Sequence, residues 1–462
     1  MDINKGDKAE VEIDKVVYGG RGLARLKGMA IFVEGAVPGD RVRIQVVRAK
    51  RNYAEARIKE VIEASPYRIM PLCPYSDYCG GCTWQHIAYD QQLAYKQGFV
   101  VDSLGHIADI TGVKVNDVLP SPRIFRYRNK MEFSFSDRRW LLPQQGAGDS
   151  GSAGFALGLH VPGTFHKVID IEGCLLQEER GNEILREIRG FVRQSGVPVY
   201  GLRSHQGFWR YVVLRHSRSL NEWMVNIVTS EERQGLLRRL ASMLGDRFSE
   251  IVSISNAVNT RKGGTAVGEW ESPLIGEGSM REKIGPYSFR ISTHSFLQTN
   301  AHLSEMLYRV VEEFASLTGR QTVVDLYCGI GTVSAFLASG ASRIIGFDIS
   351  ESAIADAMRN YELNGLVNCE FSCGDVRLLL SRVERKPDVL VADPPRTGMH
   401  KEVIRDIVQL LPETIIYVSC NPTTMARDIA LLKEHYELEA VQPIDLFPNT
   451  YHIETVTRLK RR

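Results

Sequence analysis

A chain of 462 residues is too long for one ordinary core, so two to four domains are expected. Its 44% hydrophobic and 24% charged residues are those of a globular protein; with no apolar run of membrane-spanning length and no signal-peptide core, it is predicted to be cytoplasmic and free of membrane. A net charge of +2 gives no general sign of nucleic-acid binding, and eight cysteines in a reducing compartment point to metal or catalysis rather than disulfides.

Residues 1–63 alternate short β-patterned runs (8–18, 29–33, 41–48, 54–63) with turns such as Gly19-Gly20-Arg21-Gly22 and Pro38-Gly39-Asp40, which predicts a small five-stranded barrel. Residues 1–62 hold 13 Lys+Arg against 9 Asp+Glu, with Arg41, Arg43, Lys50 and Arg51 clustered near Tyr53. Basic side chains beside an aromatic on a small barrel suit phosphate tracking and base stacking, although the same pattern also fits a plain solvated sheet face. In its Gly-Gly-Arg-Gly turn and Val37-Pro38-Gly39-Asp40 the segment resembles the TRAM domain, an RNA-binding barrel of OB-like form, and the resemblance favours RNA.

A second unit is expected over 64–290. It opens on Cys73-Pro-Tyr-Ser-Asp-Tyr-Cys79-Gly-Gly-Cys82, three thiols whose intervening glycines let them converge on one centre, with Cys174 the candidate fourth ligand. Zinc and iron–sulfur clusters both accept four thiolates; a structural zinc site usually shows two paired motifs, and only one pair exists here, which favours iron–sulfur. Residues 91–106 have helical length. Arg126, Arg128 and Lys130 form the most basic short stretch of this region and lead into an alternating strand at 131–136. The Gln-, Gly- and Ser-rich segment 143–154 is expected to be a loop between strands, and 212–215 and 224–228 to be neighbouring strands in a mixed α+β unit.

In the third unit, 291–462, strands and helices alternate, which predicts an α/β domain with a parallel sheet of at least five strands. Thr322-Val-Val-Asp325-Leu-Tyr-Cys-Gly329-Ile-Gly331 is strand, glycine loop and helix start, and Asp348 ends the second strand 17 residues beyond Gly331. Alone, that loop is ambiguous with a dinucleotide site. Asp325 ahead of the glycines would repel a pyrophosphate and suits a cationic aminoacyl group. Asp393-Pro-Pro-Arg396 then follows the fourth strand, where a methyl acceptor binds. Together these indicate S-adenosylmethionine, with Asp348 at the ribose and Asp375 near the adenine. Residues 415–419 read as a buried strand that stops at Cys420-Asn421-Pro422, setting a thiol at a strand's carboxyl end. An isolated cysteine is by default inert packing; beside this loop it is placed as a nucleophile.

Taken together, the TRAM-like barrel, the four cysteines, Phe296-Leu-Gln298-Thr-Asn300, the glycine loop, Asp393-Pro-Pro-Arg396, Ser419-Cys420-Asn421-Pro422 and His452-Ile453-Glu454 resemble the RNA uracil-5-methyltransferases over nearly the whole chain. The resemblance implies a class I methyltransferase domain using S-adenosyl-L-methionine, a 4Fe-4S cluster on Cys73, Cys79, Cys82 and Cys174, Cys420 as nucleophile and Glu454 as base. It also implies Gln298, Tyr327, Asp348 and Asp393 as cofactor contacts. Many relatives carry Glu where Asp348 stands. A flipped target base requires an aromatic platform, for which Phe296 is the candidate. The complete barrel favours 23S ribosomal RNA as substrate, with transfer RNA and RNA cytosine-5 methylation as alternatives, and a monomer is expected. A non-catalytic RNA-binding scaffold and a nicotinamide-dependent oxidoreductase are the rivals from other classes.

Overall fold

A computed structural model describes residues 3–142, 154–383 and 385–462. The loop expected at 143–154 lies outside the described residues except for Gly154.

The N-terminal sheet has six strands in the order Lys8–Glu12, Arg41–Ala49, Tyr53–Glu63, Met29–Glu34, Arg21–Leu26, Lys15–Val17, one more than the sequence suggested. The run 8–18 breaks at Ile13, whose N–H donates to Asp40 O and whose C=O accepts from Gly39 N–H, both at 2.9 Å. The extra strand, Arg21–Leu26, turns back through Lys27 and Gly28, both at positive φ, a hairpin geometry that suits the strand twist. Val11, Ala24, Ile31, Val33, Val42, Ile44 and Val46 alternate inward to fill the core. Asp40 is fully buried. Burial alone would raise its carboxyl, but Arg68 and the N–H groups of Ser65 and Val37 hold it below the usual carboxylate range.

The central sheet has seven strands, in the order Trp270–Ile275, Ile251–Val258, Glu222–Thr229, Trp209–Ser217, Lys130–Ser136, Ala156–His160, Val168–Asp170. Val212 pairs with Ile227 and Leu214 with Val225, the neighbours expected. One pair, Glu222–Thr229 with Ile251–Val258, is parallel, and the helix Gln234–Arg247 makes the crossover that such a pair needs. That helix and Glu179–Ser195 share one core with Phe133, Phe135, Trp209 and Trp223.

The C-terminal sheet also has seven strands: Cys369–Cys373, Arg343–Asp348, Thr322–Leu326, Val389–Ala392, Thr414–Ser419, Glu454–Arg461, Tyr436–Ile444. The first five are parallel and the last two antiparallel. Two segments from earlier in the chain pack into this unit. The helix Tyr89–His106 adds Val100 and Leu104 to one core, and the hairpin Ser279–Ile284/Tyr287–Ser292 adds Met280, Ile284, Phe289 and Ile291 to another. Lys96 on that helix is fully buried and pairs with the equally buried Asp445 at 2.5 Å. No helix among the described residues is long and apolar enough to cross a membrane.

Candidate active site

The parallel strands point their carboxyl ends at one edge of the sheet, and the chain there is shaped by local chemistry. After Leu326 the backbone turns through Tyr327 (φ 64°), Gly329 (55°) and Gly331 (79°), left-handed conformations that glycine adopts without strain. A Cβ on Gly331 would stand 3.1 Å from the Phe371 ring, so a larger residue would also have to push that ring back by a few tenths of an ångström. The Asp348 carboxylate clamps this loop to the second strand, accepting from Gly329 N–H (3.0 Å) and Ser350 N–H (2.8 Å). Asp325 is buried beneath the loop and accepts from Ser334 Oγ at 2.5 Å.

Cys420 stands just beyond the strand Thr414–Ser419, held by its neighbours. Ser419 Oγ donates to Asn421 O and accepts from Asn421 N–H, each at 3.1 Å. Asn421 caps the helix Pro422–Leu432 through Thr423 N–H (3.0 Å), and its Nδ2 donates to Arg396 O (3.1 Å). The cysteine loop and the Asp393–Arg396 loop are therefore one braced unit. Glu454 begins the last strand, whose antiparallel ladder ends at the pair Ser419–Thr455, so Cys420 and Glu454 each lie one residue beyond that last pair.

Acidic groups dominate the electrostatics. Asp325 is pushed up to about 7, first by burial and then by Asp348, although Ser334 draws it down. Asp393 is also raised to about 7, by burial and then by Asp325. Glu454, only 2% exposed, is raised well above its ordinary value by burial and Asp393, against the lowering field of Arg396. Burial, Glu454 and Asp393 push the half-buried Cys420 thiol up to about 11, and again Arg396 opposes them. Three buried carboxyls raised in part by neighbouring carboxylates, with one guanidinium opposing at Glu454, form a cluster complementary to a cationic ligand. Arg396→Ala is expected to raise the Cys420 thiol further and to slow its alkylation by iodoacetamide several-fold at pH 8, measured on the Cys420 peptide. For the wild type the rate should climb about tenfold per pH unit below the thiol's value, since only thiolate reacts. An unchanged pH profile in the variant would show that Arg396 does not act on the thiol.

Other expected residues fall into two groups. Gln298 is buried and held by Asn129, whose Nδ2 donates to Gln298 O and whose N–H donates to Thr299 O, both at 2.9 Å. Phe296 is 65% exposed on a turn fixed from below by Arg215, which donates to Thr293 O (2.9 Å) and Ser295 O (2.6 Å). Asp375, by contrast, caps its own helix through Arg377 N–H and pairs with the Arg377 side chain, which lowers it to about 2. Arg41 is paired with Glu63, Arg43 with Glu10 and Glu60, and Lys130 with Glu132. Lys50 and Arg51 are exposed on the hairpin between two barrel strands, with no ion pair among the described residues, and Arg126 is likewise exposed.

Sequence reasoning missed Tyr18, whose hydroxyl donates to Cys420 O at 3.4 Å while its ring packs edge-on against Tyr451 and Phe99. The glycine turn after it is a docking surface: a Cβ on Gly20 would come within 2.9 Å of Tyr451, and Trp84 Nε1 donates to Gly20 O. The barrel is seated against the edge of the sheet that carries Cys420. The effect of Arg396 on Cys420 and Glu454 is likewise invisible in its local motif, because it depends on neighbours distant in sequence.

Cys79, Cys82 and Cys174 are buried in the central core and Cys73 half-buried at its margin. Burial raises all four thiols, Cys82 and Cys174 to about 12, and each of these two is raised further by the other cysteines nearby. Gly81 N–H donates to Cys79 Sγ at 3.3 Å. The half-buried Arg128 guanidinium lowers both Cys79 and Cys174. Among the described residues no three His, Cys, Asp or Glu side chains close around a point that could hold a metal ion.

Comparison with known proteins bears on the whole chain. Residues 4–59 match the TRAM domain, 323–411 a methyltransferase domain, and 380–462 the tRNA (uracil-5-)-methyltransferase model. An RNA methyltransferase of Chlorobaculum tepidum is 42% identical over 94% of this chain and 92% of its own length. One from Halalkalibacterium halodurans is 37% identical over 99% of this chain and 98% of its own. Among solved structures, the Pyrococcus abyssi tRNA (uracil-54, C5)-methyltransferase in complex with S-adenosyl-L-homocysteine superposes with a TM-score of 0.76 at 29% identity, covering 98% of this chain and 100% of that one.

Proposed function

The chain belongs to the RNA (uracil-5-)-methyltransferase family, and from that premise we propose that it methylates carbon-5 of a uridine in ribosomal RNA through a covalent adduct on Cys420, acting as a cytoplasmic monomer. The observation that supports the mechanism is the strand register that ends beside Cys420 and Glu454, with Glu454 near enough to raise the thiol and Asp393 between Glu454 and Asp325 in the electrostatic chain.

Carbon-5 of uracil is too weak a nucleophile to accept a methyl group unaided. The Cys420 thiolate adds to carbon-6, forming an S–C bond while the ring's double-bond electrons move to carbon-5 and the carbon-4 oxygen. S-adenosylmethionine, when bound, supplies an electrophilic methyl group. The acidic pocket of Asp325, Asp348 and Asp393 fits its ammonium and sulfonium charges, and that positive charge would lower the raised carboxyls and thiol alike. Glu454 then takes the carbon-5 proton, the ring double bond re-forms and the S–C bond breaks, freeing Cys420. Phe296, exposed at the margin, would stack on the extruded base or its neighbour.

The test is to incubate the protein with S-adenosylmethionine and unmodified ribosomal or transfer RNA transcripts, then map 5-methyluridine by mass spectrometry. Ribosomal RNA should be modified. The complete barrel suggested that choice; the likeness to the Pyrococcus tRNA enzyme over its full length favours transfer RNA as the second reading. Product in neither RNA would overturn both.

The cysteine site is also assigned here to a 4Fe-4S cluster. The four thiols gather in one patch, where Cys79, Cys82 and Cys174 are each raised by neighbouring cysteines and Gly81 N–H is aimed at a sulfur, yet they do not close around a single ion. One zinc requires four sulfurs at about 2.3 Å; a cuboidal cluster spans a wider set of thiolates. Bound there, the cluster would cross-link the segment 73–82 to the turn at 174. Methyl transfer needs no electron, so its role is structural or an aid to RNA binding, not redox chemistry in catalysis. Anaerobically prepared protein should be brown and carry about four irons per chain. Stoichiometric zinc without iron would sink the assignment.

A further inference from the structure

Three loops of the central domain meet around a cavity of about 380 Å³ that has no part in the chemistry above. Its lining is Phe165, Leu202, Arg203, His205, Lys262 and Gly264, and among the described residues no carboxylate faces it. Phe165 is 68% exposed, which leaves the face of its ring open to a planar ligand among the described residues. Arg203, His205 and Lys262 are exposed, and none has an acidic partner among the described residues. Arg203 instead lies 2.7 Å from His166 Nε2, and His205 Nδ1 lies 3.3 Å from Tyr200 Oη.

The loops are built to hold this arrangement. Arg210, buried at 1% exposure, spends its guanidinium on the backbone of one loop, donating to Arg261 O (2.7 Å), Gly263 O (2.8 Å) and Asn259 O. Buried Asn259 closes the same loop by donating to Thr265 O and Val267 O, both at 2.9 Å. The Arg210 guanidinium also stacks 4.2 Å from the Tyr200 ring centroid, which supports the loop that bears Arg203 and His205. In that loop Gly207 has φ +108°, and a Cβ there would strike Val199 O at 2.1 Å. A fixed Arg-Lys-Gly-Gly tip facing an aromatic that is open among the described residues is preorganised for a ligand that is both anionic and planar.

We infer that this cavity is a second RNA site, one that takes a single-stranded nucleotide, its base on Phe165 and its phosphates on Arg203 and Lys262. Stacking plus phosphate contact is how single strands are held without base reading, and the volume lies within the roughly 300–1,000 Å³ of nucleotide-sized pockets. The site is remote from Gln298 and from the turn that bears Phe296. It sits at the start of the strand Trp209–Ser217, while the other end reaches Asn129, through His216 N–H, and from there Gln298. Nine strand residues span roughly 27 Å, so only an RNA longer than the target's immediate surroundings can engage both places.

The inference rests on the RNA-methyltransferase reading, and its test separates the two. Binding is measured by fluorescence anisotropy against a labelled 30-nucleotide poly(U) and a five-nucleotide oligo(U), over a salt series. Phe165→Ala should weaken the 30-mer about tenfold with its salt slope unchanged. Arg203→Ala/Lys262→Ala should weaken it and reduce the slope by roughly one to two. Neither change should alter the five-nucleotide probe, S-adenosylhomocysteine binding or the melting curve. Wild-type binding of the 30-mer by both variants, or equal losses on the short probe, would overturn the remote site while leaving wild-type methylation to stand. Failure of the wild type to bind any RNA would overturn both.

Discussion

Cys420→Ala and Glu454→Gln should lose turnover in distinguishable ways. Without the thiol there is no addition to carbon-6, so Cys420→Ala gives neither methylated RNA nor adduct, and cofactor binding survives because Asp325 and Asp348 are untouched. Glu454→Gln keeps the attacking thiol but cannot remove the carbon-5 proton. The methylated ring therefore stays bonded to Cys420, since elimination waits on that proton. On a denaturing gel the Glu454→Gln protein should shift with labelled RNA only when S-adenosylmethionine is present, and the Cys420→Ala protein should never shift. Glu454→Gln also removes the neighbour that raises the Cys420 thiol, so adduct formation should be no slower than in the wild type. Full turnover by Glu454→Gln would sink the base assignment. An adduct with Cys420→Ala would move the nucleophile elsewhere, with Cys328 the first alternative to test; it is buried in the glycine loop and its thiol is raised well above the ordinary value. Trapping on cytidine in place of uridine would mark a cytosine-modifying enzyme.

Lys96→Met is expected to cost about 3–5 kcal/mol of stability, because it strands Asp445 as an uncompensated charge in the interior. Lys96 Nζ also donates to Phe447 O at 3.0 Å, so the substitution frees the segment that leads to Glu454. A melting transition lower by roughly 6–20 °C follows for a unit of this size. Lys96→Met/Asp445→Leu should recover most of the loss, as a paired burial of charge gains little over a packed apolar pair. Equal melting of the single variant and the wild type would show that water reaches Asp445.

Much of this enzyme was decided within short windows of sequence. Strand, glycine loop and helix follow one another between Thr322 and Ala338, and the positive φ at Gly329 and Gly331 is a local requirement that only such residues meet easily. The Ser419-Cys420-Asn421-Pro422 stop is likewise local, since the serine and asparagine side chains bond to backbone within two residues and proline opens the next helix. The tertiary structure alone decided that Glu454 comes near Cys420, because the register that ends at Ser419–Thr455 comes from cross-strand hydrogen bonds that no local periodicity encodes. It also broke the run 8–18 at Ile13, where bonding to the Gly39–Asp40 turn replaces pairing along the sheet. Tyr18 reached Cys420, and the helix Tyr89–His106 joined the catalytic sheet, by burying apolar faces against partners hundreds of residues away. Periodicity marks a face for burial; which surface covers it is set only when the whole chain packs.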